Sequence, residues 1–391
     1  MATSIDVTSM AGWQVIEAEL PEDFEALAKE FKVLEVQYGP AKITTARDLL
    51  RLVLLHVGAD LKLRQAVALM AESGGPTVSH VTLHKKMRLA GPYLRALVGR
   101  VASATETSPE RWSGYDVILV DGSSFSGPGA DGTDARVHLQ LRLADLDIVS
   151  AVIEGRTVGE SFKRFTWTPG QLVVADRGYC NPPGIAHVVG QGADVLVRVN
   201  RSSLPLLDRR AERIDLMSWL RNLRGHQPAE RWVCFNDRET NDLYEGRLIA
   251  CRLPSAEAEK ARVRVRRELG SAASPADLEA AQYVVLFTTV PADRMPAVMC
   301  MELYRLRWQV ELAFKRWKSL CHFDRLPNYR DDTIFSWLYA KLLLALLMHR
   351  MVSGTSPLFP PEAQEVPSLA LHAVEGDQHR VARNRRRALA A

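Results

Sequence analysis

Two aspartates in this chain share one local context. Asp121 ends the apolar run Asp116-Val-Ile-Leu-Val-Asp121 and precedes Gly122-Ser123-Ser124; Asp176 ends Leu172-Val-Val-Ala-Asp176 and precedes Arg177-Gly178-Tyr179. An acid at the carboxyl end of a buried strand lies where open α/β sheets place their sites. The apolar residues fix the strand, and the following glycine lets the backbone turn away. Two such carboxylates on neighbouring strands could share a hard divalent cation such as Mg2+, which takes oxygen ligands. Taken singly, each also reads as a turn or cap aspartate.

A third acid belongs to a mixed stripe. A long helix is predicted from about Pro296 to Leu320, and Arg307, Glu311 and Lys318 follow Tyr304 by three, seven and fourteen residues. At about 100° per residue all four fall within roughly 60° of one another. Lys315, four residues after Glu311, lies close by. Such a face could be structural, laced by pairs such as Glu311–Lys315. Phosphodiester chemistry needs the same mixture: an acid to hold metal, cations and a phenol to grip phosphate.

The elements that must carry these residues change character along the chain. Residues 1–110 read as helical, with Leu20, Phe24, Leu27, Phe31 and Leu34 at helical spacing behind Pro21, and Ala46, Leu49, Leu50, Val53 and Leu54 forming a second stripe. Leu63–Glu72, a Ser73-Gly-Gly-Pro76 break, and His80–Leu89 behind a Ser79 N-cap outline a helix-turn-helix whose second helix carries Lys85, Lys86 and Arg88. The same outline fits a plain packed helical pair. Residues 111–200 form a mixed α/β block: a hairpin of His138–Leu143 with Ile148–Ile153, then strand 172–176, helix 183–191 and strand 193–199. Residues 201–292 are more polar, with an antiparallel pair (231–235 and 245–253), a charged helix (256–269) and a strand (283–290). Residues 293–350 carry the long helix, and 351–391 read as a flexible tail ending in the basic run Arg383–Arg387. The cations Arg262, Arg264, Arg266 and Arg267 fit a DNA-tracking surface or a solvated helix face equally well.

Composition narrows the class. Over 391 residues, 47% hydrophobic and 25% charged residues exclude collagen-like, coiled-coil and wholly disordered chains. Fifty basic against 46 acidic side chains leave a net charge of only +4, which permits nucleic-acid binding without arguing for it. The five cysteines (Cys180, Cys234, Cys251, Cys300 and Cys321) form no CxxC pair or Cys/His cluster, so neither structural zinc nor a disulfide framework is expected. Met1–Gly12 lacks the pattern of a signal peptide. The greasiest run, Leu342–Met348, is far shorter than the ~20 residues of a membrane span. A soluble, cytoplasmic protein without membrane contact is expected.

Tyr304-x2-Arg307-x3-Glu311-x6-Lys318 matches the YREK signature of DDE transposases of the IS-four family. Asp121-Gly-Ser123 resembles that family's first acidic motif and Asp176-Arg-Gly-Tyr179 its second; the likeness runs from about Leu63 to Leu320. The resemblance implies a mixed α/β protein with a ribonuclease-H-like catalytic core, a β-rich insertion between the second Asp and the Glu, and an α-helical N-terminal DNA-binding domain. It implies that Asp121, Asp176 and Glu311 bind two Mg2+ ions, for which Mn2+ could substitute. Tyr304, Arg307 and Lys318 would hold phosphates of the transposon end, with Lys315 and Arg177 as second-rank phosphate contacts. The partners implied are double-stranded DNA, as transposon ends and target, and a second copy of the chain, in a bacterial cytoplasm. Excision through a hairpin would flip a base onto a tryptophan; Trp219, Trp232 and Trp308 are the candidates, and each also reads as a core residue. The competing reading is a catalytically inactive, transposase-derived DNA-binding protein or repressor. Three acids facing a phosphate backbone argue against it, because they weaken binding unless metal neutralises them.

Overall fold

The computed structural model describes residues 10–35, 42–103, 112–126, 135–155, 159–237, 239–320, 326 and 331–353. Cys321, the tail beyond 353 and its basic run lie outside the described residues. Among the described residues eight strands form one mixed sheet: β1 (Asp116–Phe125), β2 (Ala135–Arg142), β3 (Ile148–Gly155), β4 (Gln171–Ala175), β5 (Asp194–Arg198), β6 (Ala229–Asn236), β7 (Leu243–Arg252) and β8 (Tyr283–Thr288). Their order is β3-β2-β1-β4-β5-β8-β7-β6. β1, β4 and β5 run parallel and the other pairings are antiparallel. The step β4, helix Pro182–Gly190, β5 is the expected crossover. The strands of the 201–292 stretch make no sheet of their own: β8 pairs with β5 and β7 with β8, so they prolong the central sheet.

Both faces of the sheet are covered. Val117 and Leu119 of β1 enter one core, which also holds residues of the N-terminal and C-terminal helices. Ile118 and Val120 enter a second core on the other face. Burial on both faces is why these strands read as unbroken apolar runs rather than alternating ones.

The N-terminal helices are α1 (Met10–Ala18), α2 (Phe24–Glu30), α3 (Ala46–Gly58), α4 (Leu63–Glu72) and α5 (His80–Ser103). Helix α2 is shorter than its apolar spacing predicts. Lys32 adopts φ 52 just beyond it and leaves Phe31 at 37% exposure. Helix α5 is longer than predicted and runs through Pro92. The Ser79 hydroxyl accepts from the Thr82 amide at 3.1 Å, the expected N-cap. After α6 (Pro182–Gly190) come α7 (Leu216–Arg221), α8 (Ser255–Leu269), α9 (Pro275–Ala280), α10 (Ala297–Arg305), α11 (Trp308–Leu320) and α12 (Asp331–Ser353). Within α12, Thr333–Met351 is long and apolar enough to cross a membrane, but 78% of it is buried inside the protein. It packs against α5 and α3, and the Tyr339 hydroxyl accepts from the Ile153 amide of β3 at 3.3 Å.

The single helix predicted over 296–320 is two helices. Between α10 and α11 the backbone tightens into three-residue bonds: Leu306 N to Leu303 O at 3.0 Å, Arg307 N to Tyr304 O at 3.1 Å and Gln309 N to Leu306 O at 3.0 Å. No glycine or proline marks the break. A 3₁₀ stretch inside a helical run commonly marks strain or function.

Lys86 corrects a second expectation. It turns inward at 5% exposure, and its ammonium donates to the carbonyls of Val33 and Glu35, each at 2.8 Å. It shares the face of Leu83, Met87 and Ala90, while Lys85 and Arg88 lie on the exposed face. Lys86 therefore ties α5 to the chain after α2 and presents no charge to a phosphate. Lys86→Met is expected to lower stability by about 1–3 kcal/mol, the cost of leaving buried carbonyls unpaired. Lys85→Ala is expected to stay within about 0.5 kcal/mol, as exposed substitutions do. Urea unfolding of the two variants checks this.

Candidate active site

The register brings the two aspartates together. Val120 of β1 and Ala175 of β4 form the last pair of that parallel ladder, so Asp121 and Asp176 each follow it directly on neighbouring segments. Asp121 follows the alternation of Val117 and Leu119, toward the face against which α11 packs. The strand does not end at the acid. β1 continues through Gly122 to Phe125, paired with β2 alone. Gly122 therefore serves a different purpose from the turn predicted for it. A Cβ there would lie 3.0 Å from His138 Nδ1 and 3.3 Å from the Tyr179 hydroxyl, so glycine permits a close approach inside a strand.

The break between α10 and α11 delivers the remaining groups. The Tyr304 hydroxyl, at the end of α10, donates to Asp176 Oδ1 at 3.1 Å. Arg307, in the break, donates from Nη2 to Glu311 Oε1 on the first turn of α11. The side chains of Arg307 and Glu311 are 7% and 13% exposed, so this is a buried ion pair. Arg307 is also the leading opposite charge facing both Asp121 and Asp176. Asp121, Asp176, Glu311, Tyr304 and Arg307 thus meet at one end of the sheet.

The two aspartates respond differently to this setting. Burial pushes the Asp121 carboxyl up to about 8; Arg307 opposes the shift, while Glu311, Glu160 and Asp176 reinforce it. Burial also pulls Asp176 upward, but Arg307, Arg198 and Arg177 outweigh it and hold this carboxyl below the usual aspartate value. Burial and the Asp176 charge keep the Tyr304 phenol protonated, so it is a hydrogen-bond donor.

Other candidates sit at the margin or elsewhere. Arg177 pairs with Glu268 of α8 at 3.2 Å, beside Asp176. Lys318 lies over the Phe125 ring at 5.2 Å, at the far end of β1, and Lys315 is exposed. Lys85 and Arg88 are on α5, in the helical layer rather than at the strand ends. Trp308 opens α11 beside Arg307, Trp219 packs among the apolar residues of α7, and Trp232 carries Arg209 over its ring at 5.2 Å.

Two groups at the site were missed from sequence. Glu160 lies 3.6 Å from Arg136 and so close to Gly178 that any side chain there would overlap its carboxylate. It follows no strand and carries no motif. Arg198 faces Asp176 from the end of β5. Its signal was present: it ends the third parallel strand, as Asp121 and Asp176 close the apolar runs of the other two.

A family model described as a transposase DDE domain matches residues 112–348. The chain is 30% identical over 360 residues to the putative transposase InsL for insertion sequence element IS186A of Escherichia coli, covering 90% of this chain and 96% of that relative. It is equally 30% identical, over 361 residues, to the transposase for insertion sequence element IS421 of Escherichia coli, again covering 90% of this chain and 96% of the relative. The chain belongs to the DDE transposase family. A shorter match, 40% identical over 63 residues and 16% of this chain, is to the transposase for IS231F of Bacillus thuringiensis, of which it covers 13%.

DDE transposases use divalent metal, and the acids suit it in donor chemistry: three carboxylates from three elements, with Glu311 and Asp176 adding to the upward shift that burial imposes on Asp121. Among the described residues no three His, Cys, Asp or Glu side chains already stand at ligating distance of one point. Tyr304 and Arg307 engage Asp176 and Glu311 instead, so a cation would take over oxygens these residues now hold.

The Asp121 carboxyl titrates higher in the folded protein than in the unfolded chain. Its contribution to metal-free stability is therefore full below about 4 and is lost as pH rises through about 8. Asp121→Asn is expected to melt above wild type by a margin that grows between pH 5 and pH 8.5. Thermal unfolding in chelator at both values checks it.

Proposed function

We propose that this chain is the transposase of an insertion sequence, cutting DNA at the element's ends and joining those ends to a target through Asp121, Asp176 and Glu311. The observation that carries the reading is the convergence of the three acids with Tyr304 and Arg307 at one end of the sheet, inside the span of the family match. The β1–β4–β5 region with its flanking helices would be a ribonuclease-H-like core.

Asp121, Asp176 and Glu311 would hold two Mg2+ ions, with Mn2+ able to replace them. When bound, such a pair supplies the charge that activates an attacking water or 3′-hydroxyl and stabilises the leaving oxygen. The chain's own residues do the rest. Tyr304 and Arg307 exchange their carboxylate partners for phosphate oxygens, a bidentate geometry to which a guanidinium is suited. Lys318, with Lys315 and Arg177 at the rim, extends the grip along the transposon end. Lys85 and Arg88 on the exposed face of α5 would contact backbone phosphates and set register without reading bases. A second copy of the chain would hold the other end, and excision would run through a hairpin, with Trp308 best placed to receive a flipped base. The protein would act on cytoplasmic DNA.

Cleavage of a supercoiled plasmid carrying the gene's own flanks tests the reading. Wild type with Mg2+ is expected to cut at the flank boundaries, and chelator is expected to stop it. Glu311→Gln is expected to bind the flanks and not cut. Binding without cutting by wild type as well would move the assignment to a DNA-binding derivative. Lys318→Ala is expected to weaken binding to all sequences alike and to lower the salt dependence of affinity by about one unit, the signature of one lost phosphate contact. A salt titration of flank binding measures this.

A further inference from the structure

We propose that His138 and Tyr179, buried on the opposite face of the sheet from the acids, are positioning residues that set the spacing of Asp121 and Asp176. The inference rests on reading those two acids as metal ligands. Both side chains are fully buried at 0% exposure. His138 Nδ1 and the Tyr179 hydroxyl are 2.8 Å apart.

What singles out this hydrogen bond is what lies on it. His138 stands directly across from Gly122 in the β1–β2 register. The Gly122 backbone approaches so closely that an added methyl would meet His138 Nδ1 at 3.0 Å and the Tyr179 hydroxyl at 3.3 Å. Tyr179 closes the short 3₁₀ turn Arg177–Tyr179 that Asp176 opens, and its ring stacks on Phe162 at 5.1 Å. One bond therefore touches β1 one residue beyond Asp121 and also ends the turn that starts at Asp176.

The chemistry gives the bond a direction. Burial, with Arg164 and Arg136 nearby, keeps the imidazole neutral. Its Nε2 makes no hydrogen bond but lies 3.7 Å from Glu154 Oε2, a carboxylate that favours the tautomer with the proton on Nε2, in which Nδ1 accepts from the tyrosine hydroxyl. An apolar pair could fill the same space, but only a directional bond between fully buried partners fixes a distance between two backbone segments. Tyr179 belongs to the core on the face away from α11, so we infer that the pair acts on the site through the backbone that carries the two aspartates.

Mn2+ binding to the full-length protein, followed by electron paramagnetic resonance, tests this. Tyr179→Phe keeps the ring and its stack and removes only the hydroxyl. Its Mn2+ affinity is expected to fall about 10–100-fold, as for other groups that orient metal ligands. Cooperative unfolding and metal-free binding to flank DNA are expected to persist. A lowered melting temperature with wild-type Mn2+ affinity would overturn the proposal and leave the pair as packing. Should Tyr179→Phe not fold, His138→Asn against His138→Leu decides. The amide can still meet the tyrosine hydroxyl and should bind Mn2+ more tightly than the leucine variant; equal affinities would overturn the proposal. Asp121→Asn separates the two readings: if it binds Mn2+ as wild type does, the metal assignment fails, and this inference with it.

Discussion

Three carboxylates cannot be gathered in a partly buried place without a cation to answer them. At an effective dielectric of about 20, two unit charges about 4 Å apart interact by roughly 4 kcal/mol, so three acids together would drive their own protonation or separation. In this protein Arg307 supplies the answer. It is bonded to Glu311, it is the leading positive neighbour of both aspartates, and it is almost wholly removed from water. Burial raises the Asp121 carboxyl in spite of Arg307, and its acidic neighbours add to the shift. A buried ion pair of this kind is weak evidence for stability, because desolvation offsets its attraction. Its value, on the proposed reading, lies in holding together charges that a divalent ion would share.

The fold serves that constraint by dividing labour between the two faces of one sheet. Strand alternation sends Asp121 to the face of α11 and Gly122 to the face of His138 and Tyr179. The parallel β1–β4 ladder ends one residue before each aspartate and so brings the two out side by side, and the 3₁₀ break between α10 and α11 lets Tyr304 and Arg307 reach different acids. Around this frame, α12 and the N-terminal helices share one apolar core with the sheet, so helices from both ends of the chain support the same edge.

What could be read from sequence followed from how local each signal is. The strands around Asp121 and Asp176, the hairpin, the crossover and the Ser79 cap all carry their patterns within a few residues, and all are present. The Tyr304–Lys318 spacing reads as one straight helix, and no glycine or proline signals the break that puts Tyr304 and Arg307 beside the acids while Lys318 lies over Phe125. Gly122 was read as a turn because glycine has two uses, and only the packed structure shows that close approach is the one in play. Lys86 was grouped with Lys85 by charge, whereas one helical step of about 100° separates a buried face from an exposed one. Glu160 and the His138–Tyr179 pair were invisible for the simplest reason. Their partners lie far along the chain, and nothing near them in sequence reports the contact.

The most direct test of the central claim is where a divalent ion binds. Crystals of the protein with flank DNA, soaked in Mn2+ and measured for anomalous scattering, would locate it. The account predicts a peak coordinated by Asp121 and Asp176, with Glu311 released from Arg307 and joining them, at about 2.1 Å as for octahedral oxygen sites. A peak elsewhere, or none while Arg307 still grips Glu311 in a complex that cuts DNA, would contradict it.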